Sequence, residues 1–433
     1  LPTSDTHWLG LLTMLALTGC VGLVISLTRL PRSLKQLLYL ALALRIVGAG
    51  LRHYMVVELY GTGDSIRYFR TGVEYAHLIW ELDFASLLDP SGWVDRKWWG
   101  TQFILHFTGL VVAVIGESFF GGFILFSLLA FAGLVGFAVA FGRAYPEVPF
   151  EDYARWVWLF PSLWFWPASI GKEAVILLGL GLSIWGFVGK QGRIQWLLLG
   201  AGLALTFAVR VQVAAVLVVS LVLAQWLSFR GRWTLGRITQ GLLILAVGLG
   251  TISMAAGELG LEGLDVESVG VYFEANAGRG AVGTEVSGTG SGIEQTAVGV
   301  AGIPMALVNI LLRPFPWEAR NLQQLVSGFE IVAFWGIVWF RRRRLAVAVG
   351  YWRSDRLLRV AVPFILVYSV SLGMVLANMG LIARQRIFLF PFLFLLIEAM
   401  PRLALARREA AGEIAPGRRR RGEGAISQLE APA

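Results

Sequence analysis

Long uninterrupted apolar runs set the pattern of this chain, in place of the period-two alternation of strands or the one-sided stripe of soluble helices. Crossing about 30 Å of hydrocarbon takes about 20 apolar residues in a helix. Runs of this kind lie at about 7–27, 37–59, 118–142, 194–209, 211–227, 238–256, 323–340, 358–377 and 386–400, and 155–170 and 172–189 add two more. The pattern predicts an all-α polytopic membrane protein with about 11 transmembrane helices, forming a single transmembrane domain over residues 1–400. Several runs fall short of about 20 residues, which implies tilting or burial beside a cavity.

Two stretches break the pattern. Residues 60–117 form the first large external loop. Within it, 64–83 interleaves Tyr68, Val73, Tyr75, Leu78, Ile79 and Leu82 with charges, as in a helix lying at the interface. Trp93, Trp98 and Trp99 suit a headgroup belt. Residues 101–115 read as a second juxtamembrane or re-entrant helix, because a crossing there would invert every later segment. The second stretch, 257–322, is an external flexible loop ending in an interfacial helix, Ala297–Leu312. Its 257–302 part holds twelve glycines and seven acids against the lone Arg279 and reads as a mobile lid or disordered segment. Its Gly-Thr-Gly-Ser-Gly run at 288–292 is not a phosphate loop, since no strand precedes it and no Gly-Lys-Ser/Thr follows.

Composition excludes an ordinary soluble enzyme, with 56% hydrophobic residues, 15% charged and 17 tryptophans. The single Cys20 supports neither a disulfide framework nor a Cys-rich metal site. The first segment has no basic leader and reads as a retained helix. Orientation follows from basic residues. Placing 28–36, 143–155, 190–193, 228–237, 341–359 and 401–433 in the cytoplasm collects 24 of the 37 Lys and Arg there. The 401–433 tail is then a basic, disordered cytoplasmic segment near anionic lipid headgroups, and nucleic acid is not a partner.

That orientation sends a set of charges to the opposite face. Asp64, in Gly61-Thr-Gly-Asp-Ser-Ile-Arg67-Tyr68, sits where a membrane helix meets water, with Arg67 beside it. Lys172 and Glu173 follow Trp164-Phe-Trp-Pro-Ala-Ser-Ile-Gly, and Arg210 lies in an apolar turn. Arg313, Glu318, Arg320, Arg384 and Arg386 complete the group. Ionisable groups at membrane level are costly unless paired or lining a polar cavity. Arginine's fork of donors matches phosphate oxygens, so the set predicts a phosphate or pyrophosphate ligand presented from the lipid side. Blander readings remain beside it: Arg313 and Arg320 snorkelling to headgroups, Lys172 pairing with Glu173, and Arg45 balancing a carboxylate within the second helix. His53, His77 and His106 lack metal-ligand spacing, which argues against a zinc hydrolase.

The Gly63-Asp64-Ser-Ile-Arg-Tyr68 and Phe160-Pro-Ser-Leu-Trp-Phe-Trp-Pro-Ala-Ser-Ile-Gly-Lys-Glu173 segments resemble the first-loop acidic motif and second external segment of the GT-C class of integral membrane glycosyltransferases. The resemblance covers residues 37–400 as architecture and these short stretches as motif. An additional helix precedes the one leading to the loop. Asp64 also lacks the neighbouring second acid of the double-acid form. No cofactor is therefore certain, a divalent cation is compatible with the class, and metal ligands are unassigned. Separately, Asn378-Met-Gly-Leu-Ile-Ala-Arg-Gln-Arg386 is similar to a late arginine-containing segment of bacterial polysaccharide polymerases.

The resemblance implies inverting transfer of a hexosyl or pentosyl unit from a polyprenyl-phosphate-linked sugar to a glycan or lipid-linked acceptor, in cell-envelope or exopolysaccharide synthesis. The chain would lie among the lipids of a bacterial inner membrane, with its site on the extracytoplasmic face. Asp64 would be the catalytic base, and Arg67, Lys172, Glu173, Arg210, Arg313, Arg384 and Arg386 would bind substrate and phosphate. The alternatives are a polymerase or ligase of lipid-linked repeat units and, third, a lipid-linked sugar transporter or flippase.

Overall fold

The computed structural model describes residues 7–94, 97–189, 192–227, 300–376 and 379–400. The expected span at 238–256, residues 257–299 of the glycine-rich loop, Asn378 and the 401–433 tail lie outside these residues. Every regular element among the described residues is helical. Four helices are long and apolar enough to cross a bilayer: Trp8–Leu27, Arg32–Tyr60, Phe119–Ala144 and Leu322–Phe340. A fifth crossing is available if Met379–Arg386 and Phe390–Glu398, bent by 52°, act together. Large apolar side chains such as Leu12, Val24, Val326 and Val332 stand exposed on these helices, as a lipid solvent allows and water does not. The chain is a helical membrane protein. Thr101–Ile115, Arg193–Val209, Val211–Trp226 and Leu358–Met374 are apolar but shorter.

The helices are α1 (His7–Leu27), α2 (Arg32–Tyr54), α3 (Asp64–Trp80), α4 (Phe84–Leu88), α5 (Thr101–Ile115), α6 (Phe119–Ala144), α7 (Phe150–Leu159), α8 (Pro161–Phe165), α9 (Lys172–Val188), α10 (Arg193–Val209) and α11 (Val211–Trp226). After these come α12 (Ile303–Leu311), α13 (Leu322–Phe340), α14 (Arg342–Tyr351), α15 (Leu358–Val375), α16 (Met379–Arg386) and α17 (Phe390–Glu398). One expectation is corrected: 155–170 is not a single span. The chain leaves α7 at Leu159, Phe160 is extended (ψ 128°), and α8 lasts five residues before Pro167. Proline disfavours helical geometry in the residue before it, as at Phe160, and supplies no N–H, so Pro161 and Pro167 interrupt the run.

Within the described residues the chain forms two compact units. The first takes residues 7–140 and 154–216. Here α3 and α5 lie side by side, with Gly72 against Thr108 and Gly109 against Tyr75. Helix α9 is closely approached on two sides. Gly181 meets the backbone of Gly133 in α6, while Gly179 and Gly186 face Thr206 and Leu199 of α10. Lipid tails are as apolar as leucine, so helix association in a bilayer depends on such close backbone approach. Of the three tryptophans read as a headgroup belt, Trp93 packs on His106 and Trp99 on Phe207, leaving Trp98 exposed.

The second unit holds residues 141–153, 217–227 and the described residues from 300 onward. Helix α12 packs on α15, with Ala306 against Gly373. Phe334 of α13 meets Phe390 and Phe394 of α17. At the entry to α15, Asp355 accepts from the Tyr145 hydroxyl at 2.7 Å and from the Leu357 and Leu358 amides at 2.9 Å each. Burial pushes this carboxyl above the usual range, and the three donors oppose that shift.

Replacing Gly181 with leucine drives a side chain into the Gly133 backbone, and overpacking costs about 1–3 kcal/mol or more. Gly181→Leu is expected to lower the thermal unfolding midpoint in detergent. Gly200→Ala, inside α10 where nothing lies within 4 Å of the added carbon, should not lower it, since alanine is the better helix former.

Candidate functional site

The site grows from the N-terminus of α3. Gly63 precedes it at φ 141°, a backbone conformation that residues bearing a Cβ rarely adopt, and gives the helix no side-chain cap. Asp64 is the first helical residue, where a carboxylate is favoured by the positive end of the helix dipole. Its Oδ1 lies 3.5 Å from Arg67 Nη2, and both side chains are about half exposed (52% and 53%). The next residue, Ser65, is buried and donates its hydroxyl to the Ile170 carbonyl at 2.8 Å. That bond ties the start of α3 to the segment leading into α9.

One turn further, Tyr68 is buried beneath Arg67, whose guanidinium carbon lies 5.5 Å from the ring centroid. Burial, and then the Asp64 carboxylate, raise the phenol above its ordinary range, with Glu173 adding to the same effect. Tyr68 therefore stays protonated at neutral pH and feels both acids.

Helix α9 also begins on an uncapped glycine, Gly171. Lys172 Nζ donates to Thr101 Oγ1 at 3.0 Å, and Thr101 opens α5 after Gly100, likewise without a side-chain cap. The Gly100 amide donates to the Ala208 carbonyl at 2.7 Å, near the end of α10. Just beyond, Arg210 is extended (φ −149°, ψ 99°), and its Nη2 comes within 3.9 Å of Glu173 Oε1. The Glu173 side chain is only 1% exposed. The starts of α3, α5 and α9 are thus tied together with the α10–α11 turn. Uncapped helix starts present backbone N–H groups and a positive dipole end, the elements of an anion site. Arg67, Lys172 and Arg210 add charge of the same sign.

The broken segment between α7 and α9 is positioned by one face of α2. Arg45 Nη1 donates to the Leu163 carbonyl at 2.6 Å, the Trp164 carbonyl lies against Gly48, and Arg52 sits over Phe165 and Trp166 at 5.4 and 5.3 Å. These α2 positions are spaced three and four residues apart, so they share a side. The expected carboxylate partner of Arg45 is not what this residue meets. It contacts a carbonyl and lies 5.2 Å from the Phe131 centroid, because the interrupted helix leaves a carbonyl to satisfy and the aromatic face accepts a cation.

Five predicted residues, Asp64, Arg67, Lys172, Glu173 and Arg210, fall within the first unit. Arg313, Arg384 and Arg386 belong to the second. Arg313 pairs with Glu318 at 2.8 Å and donates to Asn309 Oδ1 at 3.1 Å, so it is held in the protein. Arg386 is buried on α16, with Glu330 of α13 as its electrostatic neighbour. Sequence reasoning missed Tyr68 as a site residue, although it stands one helical turn from Asp64. It also missed Glu330, the one acid in the apolar run Leu322–Phe340, which a search for ionisable groups in spans would have found. Ser65 and Thr101 carried no signal. Among the described residues no three His, Cys, Asp or Glu gather to hold a metal, and Asp64 and Glu173 each face an arginine.

The Glu173–Arg210 pair is testable by a double-mutant cycle. With Glu173→Gln, Arg210→Gln and the double variant, denaturant unfolding in micelles is expected to give a coupling of about 0.5–3 kcal/mol, as for charged groups in contact. Additive effects would show that the two do not interact.

Compared with protein-family models, curated proteins and solved structures, the chain matches none.

Proposed function

We propose that the protein is an inverting membrane glycosyltransferase that moves a sugar from a polyprenyl-phosphate carrier to a glycan or lipid-linked acceptor outside the cytoplasm of a bacterium. The observation that carries this reading is the gathering of Asp64 with Lys172, Glu173 and Arg210 around three uncapped helix starts. It sets a half-exposed carboxylate beside a cationic, donor-rich anion site. In the proposed step the acceptor hydroxyl loses its proton to Asp64 while its oxygen bonds to the anomeric carbon. The bond from that carbon to the carrier phosphate breaks, and the phosphate leaves with the electron pair. Lys172, Arg210 and the backbone N–H groups stabilise the departing charge. Glu173 holds Arg210, Arg67 restrains Asp64, and the protonated Tyr68 lies within the influence of both acids.

The buried Arg386, facing Glu330 in the second unit, favours one other reading. A second cationic centre suits a polymerase that holds two lipid-linked substrates, and such an enzyme would release a ladder of chain lengths in place of one added sugar.

Incubating purified protein with a panel of polyprenyl-phosphate sugars and an acceptor is expected to release polyprenyl phosphate. Loss of a general base costs about 10²–10⁴ in rate. Asp64→Asn should therefore lower turnover by at least about 100-fold with an unchanged unfolding midpoint. Near-normal turnover by this variant on a donor that the wild type uses would overturn the assignment of Asp64.

A further inference from the structure

Outside the proposed site, the densest charge in the described chain is Arg341–Arg344, at the end of the α13 span. These four arginines do not act alike. Arg341 and Arg344 turn inward to Glu398 of α17, whose side chain is 0% exposed, at 3.7 and 2.8 Å. The two bonds fix α14 against α17 and leave Arg342 and Arg343 exposed. Arg342 is held in place, with Nη1 donating to the Trp339 carbonyl at 3.0 Å and the guanidinium carbon 4.7 Å from the Trp339 ring centroid. Arg353, just past the other end of α14, lies over the Trp352 ring at 5.3 Å. Among the described residues, none of Arg342, Arg343 and Arg353 has a carboxylate partner.

Geometry places these groups at the membrane boundary. Trp339 and Phe340 close an apolar helix of 19 residues and are both exposed, as in the aromatic belts of spans. A guanidinium backed by an indole keeps its hydrogen-bonding edge open, and that edge matches two phosphate oxygens. Helix α14 has 10 residues, about 15 Å in length, and carries one such group at each end with Arg343 between them.

We propose that Arg342, Arg343 and Arg353, braced by Trp339 and Trp352, form a docking surface for the headgroups of anionic phospholipids. The occupant is a bilayer lipid because the cations adjoin the exposed aromatic end of a span, where an acyl chain can follow its headgroup. The inference is independent of glycosyl transfer. Glu398 does not bind lipid; it divides the arginines into an anchoring pair and a binding pair.

The test is native mass spectrometry of protein extracted from bilayers of phosphatidylcholine doped with phosphatidylglycerol, counting retained phosphatidylglycerol. This readout does not depend on orientation in the membrane. Each arginine changed to glutamine is expected to weaken retention about fivefold, equivalent to about 1 kcal/mol near an anionic surface. Trp339→Leu with Trp352→Leu, which keeps the charges, should also weaken it. On the wild type, which needs no variant to fold, rising salt should strip phosphatidylglycerol and spare phosphatidylcholine. Retention unchanged in Arg342→Gln/Arg343→Gln/Arg353→Gln, insensitivity to salt, or equal displacement by inorganic phosphate would each overturn the proposal.

Discussion

Hydrocarbon offers the peptide backbone no hydrogen-bond partner, and the remaining architecture answers to that shortage. Unbroken helices satisfy themselves. The chain nevertheless breaks between α7 and α9, in a largely apolar run, and two carbonyls of the break take side-chain donors from neighbouring helices while a third packs on a glycine. Leu163 receives Arg45, Ile170 receives Ser65, and Trp164 rests on Gly48, where no side chain intervenes. The break is what turns α9 so that it starts at Lys172 and Glu173. Arg45 of α2 thus serves one carbonyl of the irregular backbone, Arg52 covers its aromatic rings, and α9 begins beyond it with Lys172 and Glu173.

The same shortage explains which features could be read from the chain. Helical class and the spans near 7–27, 37–59, 118–142 and 323–340 were legible because apolar runs of about 20 residues have few other uses. The 155–170 run misled because hydropathy carries no information on Pro161 and Pro167 beyond their composition. Of the site, Glu173 and Arg210 were legible as charges beside apolar helices, and Asp64 as a carboxylate where a helix meets water. Their partners were not. The Glu173–Arg210 contact joins residues 37 positions apart across the paired α9 and α10, and that pairing depends on Gly179 and Gly186 facing Thr206 and Leu199. Arg45 was misassigned because an arginine in a span suggests a carboxylate, whereas a broken neighbouring helix and a Phe131 ring meet it here.

The charged residues divide by task. In both units an acid with low exposure determines which arginines are committed to the protein: Glu173 engages Arg210, and Glu398 engages Arg341 and Arg344. The arginines left exposed at the end of α13 are as much a consequence of Glu398 as the paired ones. A charge count along the sequence merges these groups, and burial separates them.

One feature of α2 reaches further. After Tyr54 the helix continues in wider turns to Tyr60, then passes through Gly61 and Gly63 directly into Asp64. Its middle, through Arg45, Gly48 and Arg52, also grips the strap that ends at Glu173. Both carboxylates are thus referenced to a single datum, one by covalent continuation and the other by lateral clamp. Their separation is set locally, over a few turns of one rod, and motions elsewhere in the molecule can carry the pair along without changing its spacing.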